Sequence, residues 1–127
     1  MTILNNGNMN ILIIDDDSAV RNFISVSLRD ADYTVFEAEN GIKGLNILQE
    51  HPEIAAVITD IIMPDKEGIE TIMDIRKLHP GIKILAISGG GKLEPENYLL
   101  LANTLGANKT LKKPFRASEL LNALKML

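Results

Sequence analysis

The stretch Ile11-Leu12-Ile13-Ile14-Asp15-Asp16-Asp17 sets four consecutive aliphatic residues directly before three acids. An unbroken apolar run rich in β-branched side chains and stopped abruptly by charge reads as a strand buried on both faces. Comparable runs recur at 33–37 (YTVFE), 55–59 (AAVIT), 82–87 (IKILAI) and 108–111 (NKTL). Between them the apolar spacing becomes helical. Val20, Phe23, Ile24, Ser27 and Leu28 fall on one helical face, and Ile42, Leu45 and Leu48 mark a second helix. Ile69, Ile72, Met73 and Arg76 form a third stripe, Tyr98, Leu101, Ala102 and Leu105 a fourth, and Leu120, Leu124 and Leu127 a fifth. His51-Pro52 and His79-Pro80-Gly81 end helices, because a residue before proline is pushed out of the helical region. Strict alternation of strand and helix implies parallel strands, right-handed crossovers and helices on both faces of one sheet, an α/β doubly wound architecture.

A length of 127 residues suits one domain. We expect it to span 9–127, with the polar, Asn-rich residues 1–8 as a disordered N-terminal tail. The net charge of −4 argues against a nucleic-acid or anionic-membrane surface, since both favour clustered Lys and Arg. No direct nucleic-acid or membrane partner is therefore expected. The absence of Cys excludes disulfides and thiolate metal sites and suits a reducing compartment. With no basic start leading into an apolar stretch, and no run near the ~18 apolar residues of a membrane span, we expect a cytoplasmic protein.

In an open parallel sheet the ligand site lies beyond the carboxyl ends of the strands. The first predicted strand ends in Asp15, Asp16 and Asp17, the third in Asp60, and the fourth in Ser88 followed by Gly89, Gly90 and Gly91; Lys112 and Lys113-Pro114 follow the fifth. Two carboxylates ~5 Å apart repel by ~3 kcal/mol at an effective dielectric of ~20. A hard divalent cation offsets such repulsion, and Mg²⁺ takes one or two carboxylates while leaving positions for water and phosphate oxygens. The lysine adds a second positive charge. Acids stand where a nucleotide-binding fold needs a Gly-rich loop, and SGGG at 88–91 has neither G-x-G-x-x-G spacing nor a P-loop ending. Dinucleotide and P-loop readings lose ground accordingly.

Taken in order, ILIIDDDSAVR, VITDIIMPDKEG, ILAISGG and KKPF resemble the receiver domain of bacterial response regulators, and the resemblance covers nearly the whole chain. It implies a flavodoxin-like (βα)5 fold with five parallel strands in the order 2-1-3-4-5. It further implies that Asp60 is a phosphoacceptor. Asp16 would hold Mg²⁺ directly and Asp15 mostly through water, with a side-chain oxygen of Asp60 and the backbone carbonyl of Ile62 completing the metal ligands. Lys113, joined to Pro114 by a cis bond in the family, would pair with Asp60 and then with the phosphoryl group. Ser88 and the amide of Gly89 would donate to phosphoryl oxygens. The phosphoryl donor implied is a histidine kinase or a histidine phosphotransfer protein, and the output a phosphorylation-dependent change in protein contacts, including homodimerisation through the fourth helix, fifth strand and fifth helix. Such a chain is a signalling phosphoacceptor and not an enzyme with an external substrate. Whether it stands alone or belongs to a larger regulator is left open.

Thr110 departs from the family pattern, standing three residues before Lys113 where many relatives carry Tyr or Phe. A small hydroxyl thus replaces the usual aromatic switch. We assign Asp17 to the first turn of its helix or to an outer-sphere supporting place, and Met73 to packing. Two competing functions are a degenerate receiver that docks without phosphorylation and an aspartyl-phosphate hydrolase like the haloacid dehalogenase phosphatases. The intact set Asp15, Asp16, Asp60, Ser88 and Lys113 argues against the first; the lack of room for a cap insertion argues against the second.

Ile62 and Gly90 lie two residues beyond Asp60 and Ser88, at positions that in the family govern the approach of water to the acyl phosphate. Ile62 should shield the phosphorus, whereas Gly90 neither shields nor orients water. Slow self-dephosphorylation follows, and Ile62→Asn should shorten the half-life of the phosphorylated chain when the loss of phosphoryl mass is timed. A longer-lived mutant would contradict the shielding role.

Overall fold

A computed structural model describes residues 9–61, 68–89, 100 and 105–127. The expected tail at 1–8, Ile62, Gly90 and most of the fourth helical stripe lie outside the described residues.

The elements run β1 (Asn10–Ile14), α1 (Ser18–Asp30), β2 (Thr34–Ala38), α2 (Gly41–Glu50), β3 (Ala56–Asp60), α3 (Gly68–Leu78), β4 (Lys83–Ser88), β5 (Lys109–Lys112) and a C-terminal helix (Ala117–Lys125). All strands are parallel in one sheet, in the order β2-β1-β3-β4-β5. Fold class and strand order agree with the sequence reading. The last four strands each start one residue later than their apolar runs. At the first of these, the Tyr33 amide bonds the carbonyl of Leu28 and so closes α1 before Thr34 opens the ladder.

Side chains alternate across the sheet and divide the core into two layers. On one face Leu12, Ile14, Val57, Ile84 and Ala86 pack with Leu48 of α2 and Ile72 and Ile75 of α3. On the other, Ile11, Ile13, Ile58, Leu85 and Ile87 pack with Ile24 and Leu28 of α1 and with Leu120 and Leu124 of the C-terminal helix. Because both faces are covered, the inner strands read as unbroken apolar runs. Among the described residues no helix is long and apolar enough to cross a membrane.

Three helical faces need correction. Phe23, Ile42 and Met73 are 43%, 62% and 49% exposed. The faces turned to the sheet are Ile24, Ser25 and Leu28 in α1, Gly41, Gly44 and Leu48 in α2, and Gly68, Thr71, Ile72 and Ile75 in α3. Small residues face inward because these helices lie close on the sheet, so apolar spacing alone points each stripe partly outward. Asp17 stands one residue before the first turn expected for it, as the N-cap of α1, its carboxylate accepting from the amides of Ala19 (2.9 Å) and Val20 (3.3 Å).

Arg76, counted in the third apolar stripe, instead uses its guanidinium as a clamp. It donates to the carbonyls of Pro80 (2.7 Å), Ile82 (2.8 Å) and Gly106 (2.8 Å) and to Oδ1 of Asn108 (2.8 Å). The same Asn108 oxygen accepts the amide of Ile84 at 2.8 Å. One planar fork thus ties the end of α3 to the entries of β4 and β5, a geometry that a lysine cannot copy. Arg76→Ala should lower unfolding stability by roughly 2–4 kcal/mol, read as a lower urea midpoint with an unchanged slope. A loss under about 0.5 kcal/mol would show the clamp to be energetically idle.

Candidate functional site

The site grows from the carboxyl ends of the strands. Asp15 follows β1 and is only 1% exposed, because its amide extends the ladder by donating to the carbonyl of Ala38 (3.1 Å) and draws the residue under the sheet edge. Its Oδ1 accepts the amide of Asp17 at 2.9 Å, while its buried Oδ2 has no hydrogen-bond partner. Asp60 ends β3, is 6% exposed, and accepts from Nζ of Lys113 at 3.1 Å through Oδ2. Lys113 Nζ lies 3.7 Å from Asp15 Oδ2. Asp16 is exposed, and one carboxylate oxygen from each of Asp15, Asp16 and Asp60 falls within 4.8 Å of the others. β1 and β3 are sheet neighbours, which is why acids 45 residues apart in sequence meet.

Ser88 ends β4 fully buried, and its hydroxyl oxygen also lacks a partner. Its carbonyl accepts the amide of Lys113 at 2.8 Å, prolonging the β4–β5 pairing past the end of β5. Two glycines make this crowding possible. A Cβ on Gly89 would stand 2.3 Å from Cβ of Lys113, so any side chain there would displace the lysine stem. A Cβ on Gly68 would stand 2.3 Å from the carbonyl oxygens of Asp60 and Ile61, so only glycine lets α3 begin directly against the Asp60 strand end. The Lys113–Pro114 peptide is cis, in keeping with the resemblance.

Burial is the main force on Asp15 and pushes its pKa from 3.8 up to about 6, with the charges of Asp60 and Asp16 acting in the same direction and the Asp17 amide and Lys113 against it. For Lys113, burial acts to lower the pKa, but Asp60 and Asp15 together outweigh it and the ammonium is held more firmly than in water. Among the described residues, Lys113 therefore stands against the two buried carboxylates of a cluster that holds three. A buried polar atom without a partner costs ~1–3 kcal/mol, and Asp15 Oδ2 and Ser88 Oγ are two such atoms at one sheet edge. An all-oxygen, carboxylate-rich ligand set is the kind a hard divalent ion takes. The cluster could thus bind a metal ion, and the unpartnered Asp15 oxygen fits one.

Asp15, Asp16, Asp60 and Lys113 are brought together, and Ser88 and Gly89 lie beside them on the neighbouring strand end. Thr110 stands further back, in mid-β5 opposite Ala86. Ile62 lies outside the described residues. Sequence reasoning missed Gly68, although it closes the VITDIIMPDKEG stretch, and also Arg21, which closes ILIIDDDSAVR. Arg21 donates to the carbonyl of Asp15 at 2.6 Å.

The model of the response regulator receiver domain family matches residues 11–125. The chain belongs to that family. It is 32% identical over 119 residues to the response regulator receiver protein CpdR of Brucella abortus, an alignment that covers 92% of this chain and 94% of CpdR. It is also 36% identical over 84 residues to the sensor kinase CckA of the same organism, where the match covers 65% of this chain but only 9% of the kinase. Among solved structures, a response regulator receiver domain protein from Clostridium thermocellum superposes with a TM-score of 0.85 at 31% identity, covering 93% of this chain and 92% of that one.

The raised pKa of Asp15 has a definite sign in the metal-free protein. Between about pH 4 and 6 the folded chain keeps a proton that the unfolded chain releases, so stability present at low pH is lost as the pH rises through 6. Asp15→Asn removes that penalty. At pH 7.5 without divalent ions the variant should be more stable than the parent by roughly 1–3 kcal/mol, an advantage that vanishes below pH ~4. Chemical denaturation across this range checks it, and equal stability at every pH would contradict the assignment.

Proposed function

We propose that the chain accepts a phosphoryl group on Asp60 from a phosphohistidine of a histidine kinase or a histidine phosphotransfer protein, with Mg²⁺ at the carboxylate cluster. The observation that carries this is the buried Asp60 carboxylate, paired with Lys113 and within reach of two further acids. In the transfer, an Asp60 oxygen attacks phosphorus in line, the P–N bond breaks, and the imidazole leaves with the bonding electron pair. An acyl phosphate results.

The residues divide that work. Asp15, Asp16, Asp60 and the carbonyl of Ile62 would hold the ion, which supplies charge neutralisation to the equatorial phosphoryl oxygens when bound. Lys113 keeps its positive charge and can pass from Asp60 Oδ2 to a phosphoryl oxygen without leaving the site. The unpartnered Ser88 hydroxyl and the amide of Gly89 offer neutral donors at the adjacent strand end. Positioning and neutralisation of this kind make up most of what phosphoryl transfer asks of a protein.

Beside the site, Ala19, Val20, Phe23, Lys113, Pro114 and Phe115 line an apolar groove of about 320 Å³. Phe23, exposed on α1, meets Phe115 there with ring centroids 6.2 Å apart. A partner that seats an apolar side chain in this groove comes to rest against Lys113, which favours presentation of a donor histidine to Asp60. Phosphorylation would then alter protein contacts, homodimerisation included, through the surface containing β5 and the C-terminal helix. Thr110 within that surface would act without the bulk of an aromatic ring.

Incubation with Mg²⁺ and acetyl phosphate followed by intact-mass measurement tests the chemistry. One phosphoryl adduct is expected on the parent and none on Asp60→Asn, with the adduct abolished by chelation. An adduct of equal yield on Asp60→Asn would overturn the assignment of the nucleophile.

A further inference from the structure

Arg21 lies one helical turn into α1, away from the acidic cluster's own side chains, yet its Nη1 donates to the carbonyl of Asp15 at 2.6 Å. That carbonyl belongs to the peptide joining Asp15 to Asp16. The orientation of this peptide sets where the exposed Asp16 carboxylate stands relative to the buried Asp15. A charge-assisted bond of this length is stronger than a neutral one and directional at the acceptor.

The arginine is itself fixed. Its Nε donates to Oε1 of Glu37 at 3.2 Å, and only about a fifth of its side chain is exposed. Glu37, on β2 in register with Ile13, accepts the hydroxyl of the buried Ser25 at 3.1 Å through Oε2, with Arg29 at 3.7 Å from the same oxygen. The guanidinium therefore uses separate nitrogens for the anchor and for the loop. The acidic loop is otherwise held at its two ends, by the Asp15 amide on Ala38 and by Asp17, whose amide bonds Asp15 Oδ1 and whose carboxylate caps α1; among the described residues, Arg21 is the group that holds the Asp15 carbonyl itself.

We infer that Arg21, braced by Glu37, is a positioning residue for divalent-ion binding, holding the Asp15–Asp16 peptide so that both carboxylates face one ion. It touches neither the ion's ligand oxygens nor the phosphoryl group. Its effect falls on affinity for the ion and not on the transfer step once the ion is bound. This rests on the function proposed above, and it concerns a residue acting through the backbone of a ligand instead of through its side chain. Groups behind metal ligands carry a measurable share of affinity when they fix ligand orientation.

The test titrates Mg²⁺ into the full chain by calorimetry and by the Mg²⁺-dependent rise in Tm, beside the rate of acetyl-phosphate labelling at saturating Mg²⁺. Arg21→Gln should weaken Mg²⁺ binding about tenfold while the saturated rate stays within about twofold of the parent. Arg21→Lys keeps the charge but cannot hold both partners with separate nitrogens, so its affinity should fall between the two. Glu37→Gln should weaken binding in the same direction, and adding it to Arg21→Gln should cost little more, since both changes break one brace.

Should Arg21→Gln prove poorly folded, Arg21→Lys and Glu37→Gln carry the same measurement. Mg²⁺ affinity within about twofold of the parent in folded variants overturns the inference, as does a fall in saturated rate with affinity unmoved. A parent that binds Mg²⁺ but gains no phosphoryl mass overturns the proposed function alone and leaves the Arg21 comparison readable.

Discussion

The contact between Lys113 Nζ and Asp60 Oδ2, 3.1 Å across the end of the sheet, is the constraint around which the rest is arranged. Breaking a buried pair by removing one partner leaves an uncompensated charge, so neither residue is replaceable without consequence. The pair also dictates backbone. Lys113 must reach past β4 to Asp60 on β3, and it does so where Gly89 presents no side chain to its stem. Its amide is meanwhile tied to the carbonyl of Ser88, which keeps the lysine on the path of β5 beyond the strand's last residue. On the opposite side of Asp60, the bare Gly68 lets α3 start against the strand end.

The electrostatic balance around that pair is deliberately incomplete. Two further acids share the edge, Asp15 protonates more readily than a free carboxyl, and two buried polar oxygens lack partners. Such an arrangement opposes folding, and the two apolar layers must outweigh it. Ile11 through Ile14, Ile84 through Ile87 and most of β3 are almost wholly removed from water on both sheet faces. Burial of a large aliphatic side chain contributes ~1.5–3 kcal/mol against the ~1–3 kcal/mol cost of one unsatisfied oxygen, so one or two such residues offset each. A costly cluster is affordable at the end of this sheet because the strands leading to it are so fully buried. The same surplus of negative charge gives a dication or a proton something to gain there.

Much of this was legible in the amino-acid order because the sheet is covered on both faces. ILII, AAVIT and IKILAI stand out as unbroken apolar runs only for that reason, and the residue at which each run stops is a site residue or its neighbour. Asp15, Asp16, Asp60 and Ser88 were accessible on these grounds, whereas Lys113 follows the more polar NKTL run and took its role from the family resemblance. Helical faces were less so, because Gly41, Gly44 and Thr71 turn inward where helices approach the sheet, and hydropathy counts Phe23, Ile42 and Met73 as core instead. Arg21 and Arg76 were invisible for a different reason. Their partners are mainly backbone carbonyls, at separations of 6 residues for Asp15 and 30 for Gly106, and a carbonyl carries no signature in a sequence.

These two arginines hold opposite ends of the molecule's working parts. Arg21 fixes the loop that carries the acids, and Arg76, through Gly106 and Asn108, fixes the chain as it enters β5. β5 is only four residues long and is held again just past its far end by Lys113. A change of charge at Asp60 acts on Lys113 first, and so on a short strand whose start is clamped. Thr110 lies between the two fixed points, opposite the small Ala86, with no aromatic ring there to swing. Under the proposed function, that change passes along the C-terminal half of β5 into the segment leading to the last helix. Ring rotation is not needed to carry it, because Lys113, Pro114 and Phe115 already connect Asp60 to the apolar groove beside α1.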